Sequence, residues 1–493
     1  MISSHLPALQ VVVPLIAAPV CMLLRHPRLA WGIAALISWV SLGVAIALLA
    51  RVLCEGPVSY ALGGWAAPWG IEYRIDELNA LVLIVIAGVS AWVVLFARAS
   101  VEQEIPPEQV NVFYTLWLLF VTGLLGMVVT GDAFNLFVFL EISSLSSYAL
   151  VSLAQDRRAL TAAYRYLVMG TIGATFILIG IGLLYMMTGT LNMADLARRL
   201  PAVADNRTVV VALAFLTVGI SLKMALVPLH AWLPNAYTYA PSAVSALLAA
   251  ASSKVGVYML LRFSFSILGA RFSLEATNGD RLLLGAALLA TVFGSVAALF
   301  QTNIKSMLAY SSIAQIGYLV LGISLVSLTG LTAGIVHLFS HALTKAGLFM
   351  AVGCLAFRLR GVTLQELAGV GRHMPWTMAA FVCGGLSLIG FPLTAGFISK
   401  WYLVVAVLER GWWPAAVVIL LTSLLAVAYI WRVVEVAYWR PEPEAGHPPG
   451  EAPWSMLGPT WVLILANVYV GIQAAPVVAM ARRAAETLLS TAP

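Results

Sequence analysis

Apolar residues along this chain come in runs of about 20, separated by short polar or Gly/Pro-rich stretches, from one end to the other. Each run is long enough for a helix to cross a hydrocarbon core of roughly 30 Å. Fourteen such spans are predicted, near 7–24, 29–53, 78–97, 111–130, 133–153, 163–187, 208–235, 241–263, 281–300, 307–327, 331–356, 376–402, 413–434 and 459–480. The chain therefore reads as an all-α integral membrane protein with about 14 transmembrane helices. The first run lacks a basic leader and a small-residue cleavage site, so it is expected to remain as a helix.

Composition agrees with this pattern. Of 493 residues, 61% are hydrophobic and 10% charged, a balance that makes the bilayer the solvent for most of the chain. Cys21, Cys54, Cys354 and Cys383 lie in or beside apolar runs without CxxC spacing, so neither a metal cluster nor a disulfide framework is expected. The net charge of +6 comes from arginines at helix ends, and no basic run is long enough for nucleic acid. RHPR at 25–28, DRR at 156–158, and Arg358, Arg360 and Arg372 fall on one side. The positive-inside rule makes that side cytoplasmic and puts both termini outside, although Arg198, Arg199, Arg207, Arg271, Arg281, Arg482 and Arg483 oppose it. Two loops are longer than the rest: residues 54–77, where Gly/Pro turns suggest a small external hairpin, and the Pro-rich RPEPEAGHPPGEAP at 440–453.

One element recurs. KMALVPLHAWLP at 223–234 and GFPLTAGFISKW at 390–401 each place Pro-Leu-x-Ala inside an apolar span, at Pro228 and Pro392. Proline removes a helix hydrogen bond and clashes with the preceding turn, so spans seven and twelve should break there. Their separation of five spans reverses direction across the membrane, so any repeat containing them is inverted. Interrupted helices at matching places in two halves point to a midplane ion site.

Lysine placement points the same way. Of 27 basic residues only five are lysines; Lys223, Lys254, Lys345 and Lys400 interrupt apolar runs and Lys305 lies at the edge of another. One acid, Glu141, lies about nine residues into its span, roughly 13 Å deep at ~1.5 Å per residue. A charge at the centre of a bilayer helix costs on the order of 2.5–3.5 kcal/mol, so it persists where charges pair, relay protons or line a polar path. Burial disfavours the charged amine and a nearby carboxylate restores it, so such a lysine can release or take up a proton when a neighbouring charge moves. Arginine cannot. One mid-membrane carboxylate also cannot pair with four embedded lysines, which argues against a purely structural set of ion pairs.

His337, His341 and Lys345 follow at four-residue intervals and share one helix face. HLFSH lacks the Glu of a zinc HExxH, and a lysine on the same face would repel a cation, so a proton wire is expected rather than a metal site. His230, beside Pro228, either bridges Glu141–Lys223 to Lys254 or bonds to carbonyls freed by the break. Ser143, Ser144, Ser146, Ser147, Ser252, Ser253, Ser311, Ser312 and Gln315 add polar atoms, as water ligands or as close helix packing.

FNLFVFLE, KMALVPLHAWLPNAYTYAPSAVSALLAAASSKVGVY, NIKSMLAYSSIAQIGY, HLFSHALTKAGLF and GFPLTAGFISKW together resemble the antiporter-like membrane subunits of respiratory complex I and of Mrp-type cation/proton antiporters. FNLFVFLE after GDA looks most like the D subunit of Mrp-type antiporters, and related chains occur in membrane-bound hydrogenases. The resemblance implies two inverted five-helix repeats, here 111–263 and 281–434, after an N-terminal three-helix segment 1–110 and before a polar loop and last helix at 435–493. It implies that Glu141 and Lys223 form one half-channel pair, that Lys254 relays, that Lys400 gates the other half, and that His337, His341 and Lys345 belong to a connecting hydrophilic axis. Asn235 and Tyr237 depart from the Asp and His common after WLP in complex I relatives, and Ser306 replaces a second basic residue beside Lys305. The chain is expected to stop after its fourteenth span, without a long lateral helix.

The expected function is proton translocation in a multi-subunit Na⁺(monovalent cation)/H⁺ antiporter of a bacterial plasma membrane, with other membrane subunits as partners. The alternative is a proton-pumping subunit of a complex I-type NADH:quinone oxidoreductase or a hydrogenase; a third possibility is a silent scaffold. No Rossmann, flavin or iron–sulfur pattern is present, so no cofactor is expected and any electron transfer falls to partners. No set of oxygen ligands for a hard cation is visible, so H⁺ is assigned to this chain and Na⁺ to its partners or to a site shared with them.

Overall fold

The computed structural model describes residues 2–24, 26–359, 361–441 and 450–490; Arg25, Arg360 and most of the Pro-rich loop (442–449) lie outside the described residues. Thirteen helices are long and apolar enough to cross a bilayer: Leu6–Leu23, Pro27–Glu55, Glu77–Glu104, Pro107–Val129, Ala133–Ser152, Arg157–Thr188, Arg207–Met224, Ser242–Ile267, Gly279–Leu299, Ile304–Ser324, Leu328–Leu359, Trp413–Trp439 and Trp454–Ile472. The remaining crossing, twelfth in order, is split into Pro375–Ile389 and Ala395–Glu409. The protein is an all-α membrane protein. Among the described residues its one sheet is the hairpin expected in the 54–77 loop, β1 (Val58–Ala61) antiparallel to β2 (Glu72–Ile75), with Val58 opposite Ile75.

Both predicted breaks are present, and the freed backbone groups explain how they are tolerated. Span seven stops at Met224, Ala225 turns to φ 62°, and helix resumes only at Leu233. Pro228 lies in the irregular stretch, while the Trp232 indole donates to the Leu222 carbonyl at 2.9 Å. Span twelve stops at Ile389, Gly390 turns to φ 91°, and Pro392 precedes the restart at Ala395. A left-handed residue ends each first half, with glycine taking it at least cost.

Span eight, the only one fully enclosed by the rest of the described protein, is packed against spans three, four, seven, ten and eleven. Spans one, two, six, nine and thirteen present most of their surface outward. Span eight is also not a regular α-helix: π-helical turns occupy Leu248–Ser252 and Arg262–Ile267. Each widened turn leaves a carbonyl without its usual partner, a device found at functional positions.

The end of the chain differs from expectation. Instead of one span at 459–480, the last crossing ends at Ile472 and a separate helix follows, Ala475–Ser490. Pro476 at its second position starts the new helix. Ala481, Ala484, Ala485 and Leu488 bury one face while Arg482 and Glu486 pair on the exposed side. The chain therefore does not stop at its fourteenth span.

Candidate functional site

Every embedded lysine is buried, and each amine is held by neutral oxygens rather than by a carboxylate. Lys223, in the last turn before the first break, donates to Ser144 Oγ at 2.6 Å. Ser144 lies one turn after Glu141, so the acid and the amine face the same region. No ion pair joins them among the described residues, and Glu141 is half-buried. From Ser144 the polar row continues through Ser147, which donates to Tyr166 at 3.3 Å, and Tyr166 stacks on Trp232 at 4.2 Å.

Lys254 is fully buried and donates to the Ala249 carbonyl, which lies in the first π-turn, and to Ser253 Oγ at 3.4 Å. Lys345 is equally buried; it donates to the Leu308 carbonyl at 2.8 Å and to Ser311 Oγ. His337 and His341 stack with ring centroids 5.8 Å apart. His337 Nδ1 shares a 2.8 Å hydrogen bond with Ser399, whereas His337 Nε2 and both His341 nitrogens have no partner among the described residues.

Lys400 closes the row. Its amine donates to the Leu388 and Ile389 carbonyls at 3.0 and 2.9 Å and to Ser423 Oγ at 3.0 Å, and lies 5.0 Å from the centre of the Tyr318 ring. These carbonyls end the first half of span twelve, where the helix dipole is negative and the break has removed their partners. Lysine and proline thus belong to one local design: the break exposes acceptors and the amine covers them.

His230 is not brought into the row. It is half-buried at the first break, its ring against Phe293 with centroids 4.7 Å apart. Among the described residues no group of three or more His, Cys, Asp or Glu side chains converges on a point that could hold a metal ion.

Two polar clusters escaped the sequence reading. Lys305, at the start of span ten, donates to the Ala240 carbonyl at 3.3 Å; nearby Glu104 accepts from the Ser242 amide at 2.7 Å, capping span eight. At the other end of span eight, Arg262 pairs with Asp76 at 2.5 Å and also bonds to Asn79 and Tyr258. Asp76 itself caps span three through the Leu78 and Asn79 amides. Removing one partner of such a buried pair strands the other charge, at about 3–5 kcal/mol. Asp76→Ala is therefore expected to lower the unfolding temperature of the purified assembly by several degrees, read by scanning fluorimetry. Asp76→Leu/Arg262→Met should recover most of that loss, and equal damage from both variants would reject the stranded-charge account.

The family described as NADH:quinone oxidoreductase/Mrp antiporter, TM, matches residues 130–426, the segment that carries all of these lysines. The chain is 41% identical over 486 residues to the N subunit of the NADH-quinone oxidoreductase from Desulforudis audaxviator, covering 95% of this chain and 96% of that one. It is 30% identical over 448 residues to the D subunit of the Na⁺/H⁺ antiporter from Alkalihalophilus pseudofirmus, covering 90% and 89%. A chain of the Mrp complex from Dietzia sp. superposes with a TM-score of 0.90 at 26% identity, covering 99% of this chain and 98% of that one. The chain belongs to the NADH:quinone oxidoreductase/Mrp antiporter transmembrane family, as an antiporter-like membrane subunit of Mrp or complex I type.

Proposed function

We propose that this chain is the proton-translocating subunit of a multi-subunit monovalent cation/proton antiporter in a bacterial plasma membrane. Glu141 and Lys223 serve one half-channel (within 111–263), Lys400 the other (within 281–434), and Lys254, His341, His337 and Lys345 connect them. The observation that carries this reading is Lys254: a fully buried amine on the enclosed span eight, bonded to neutral oxygens alone. A structural lysine at such a place would gain from a carboxylate partner, whereas an amine resting on a carbonyl and a hydroxyl can lose its proton without stranding an opposite charge. His337 Nε2 and the two His341 nitrogens, which have no partner among the described residues, offer acceptors for that proton. Na⁺ is assigned to partner subunits or to a site shared with them, since among the described residues no group of three or more His, Cys, Asp or Glu side chains converges.

Reconstituted vesicles carrying the whole complex test the reading. Glu141→Ala and Lys223→Ala should each reduce Na⁺-dependent proton flux at least about tenfold with assembly intact on native gels. Unchanged flux in correctly assembled variants rejects it, and loss of assembly with normal flux per complex favours a scaffold.

The 41% identity with a NADH-quinone oxidoreductase subunit supports a second reading, the same proton path driven by electron transfer in partner subunits. Proteins that copurify with the chain decide between them: iron–sulfur subunits indicate redox drive, small antiporter subunits indicate cation exchange.

A further inference from the structure

A cavity of about 660 Å³ opens where the start of span two meets the end of span three and the start of span four, at the level of the helix ends. Its chemistry is distinct from the lysine row. Arg28 and Arg98 line it, both exposed, and neither has a carboxylate within ion-pair distance among the described residues. The Arg98 guanidinium lies 4.8 Å over the Trp31 ring, which fixes its position while leaving its outer N–H groups free. Tyr114, only 1% exposed, also lines the cavity, and its hydroxyl makes no hydrogen bond among the described residues; its polar neighbours are Glu102 and Arg98. Glu102 is the sole acid on the wall, so the lining is net positive. Leu29, Ile105 and Val110 add apolar wall, and Leu29 and the nearby Leu23 at the end of span one are exposed.

We propose that this cavity binds the phosphate headgroup of an anionic phospholipid. Two uncommitted guanidinium groups match phosphate oxygens bidentately, and the buried Tyr114 hydroxyl supplies a further donor. Basic pockets between transmembrane helices at headgroup depth recognise such lipids, and the apolar rim gives the acyl chains a track along spans one and two. A free phosphate would use the same donors but gain nothing from that track. The proposal is independent of the transport reading and needs no flux to be measured.

The test uses the assembled complex in phosphatidylcholine vesicles containing a minority of spin-labelled phosphatidylglycerol. The wild-type complex should immobilise the labelled lipid in preference to labelled phosphatidylcholine, and Arg28→Gln/Arg98→Gln should weaken that preference about tenfold or more. Tyr114→Phe, a milder change suited to the case in which the double variant does not assemble, should weaken it about fivefold. Equal immobilisation in wild type and variants overturns the proposal. Complete displacement of the label by millimolar inorganic phosphate, with no dependence on the acyl chains, also overturns it and makes the cavity a free-anion site.

Discussion

Lys254→Ala is expected to lower driven proton flux by on the order of 10²-fold, the usual effect of removing a positioned proton-transfer group. Lys254→Arg is expected to do the same. The arginine variant is the sharper of the two, because guanidinium keeps the charge and can still bond the Ala249 carbonyl but does not deprotonate in proteins. Stability should move much less, since losing a partner for one carbonyl costs only about 1–3 kcal/mol. Flux and unfolding temperature measured on the same assembled preparations therefore separate proton transfer from packing. Wild-type flux in Lys254→Arg would show that a fixed positive charge suffices at the centre of the protein, and the relay would have to bypass this residue.

What could be read from residues alone divides along physical lines. Both helix breaks were legible because proline removes a donor wherever it falls, and the structure interrupts spans seven and twelve around Pro228 and Pro392. The lysines were legible as buried because four of them interrupt long apolar runs and the fifth lies at the edge of one. Their partners were legible only in part: Ser144, Ser253 and Ser311 stand among the serines named with the charges, but the carbonyl partners do not. Ala249, Leu308 and Leu388 offer ordinary carbonyl oxygens, and only the fold determines which of these face an amine. The π-turns of span eight left no mark in apolar periodicity, because a helix enclosed on all sides is apolar on all faces. Nothing in the sequence singles Arg262 out from the other arginines at the ends of apolar runs, because its partner Asp76 lies 186 residues away. The extra helix Ala475–Ser490 was masked because an alanine-rich segment extends the apolar run past the true turn at Gln473.

These oxygens also bear on how the lysines act together. An ammonium that leaves a carboxylate strands a charge, while one that leaves a carbonyl leaves only an unsatisfied dipole. Lys223, Lys254, Lys345 and Lys400 all rest on neutral acceptors, so each can change protonation without a compensating anion nearby. Glu141 is the exception in sign and in placement: it is half-buried, one turn from the Ser144 that holds Lys223, and makes no ion pair with that amine among the described residues.

Lys400→Ala should combine a transport defect with a larger stability loss than Lys254→Ala, because two helix-end carbonyls and Ser423 lose their donor together. Hydrogen bonds to a charged group contribute about 1.5–3 kcal/mol each, so even partial compensation leaves a loss of several kcal/mol in the half of span twelve that ends at Ile389. Flux should again fall by on the order of 10²-fold. Lys400→Arg divides the two effects: its guanidinium can cover the same carbonyls and stay near the Tyr318 ring, so unfolding temperature should recover while flux does not. Recovery of both would make Lys400 a helix cap alone. Recovery of neither would mean that the site cannot hold the wider head group, and Gly390 shows how little room there is, since even an added Cβ would stand 2.9 Å from Lys400 Cδ. In that case Lys400→Met decides, because it keeps the stem and removes only the proton carrier: flux near wild type in an assembled Lys400→Met complex would place the second half-channel elsewhere.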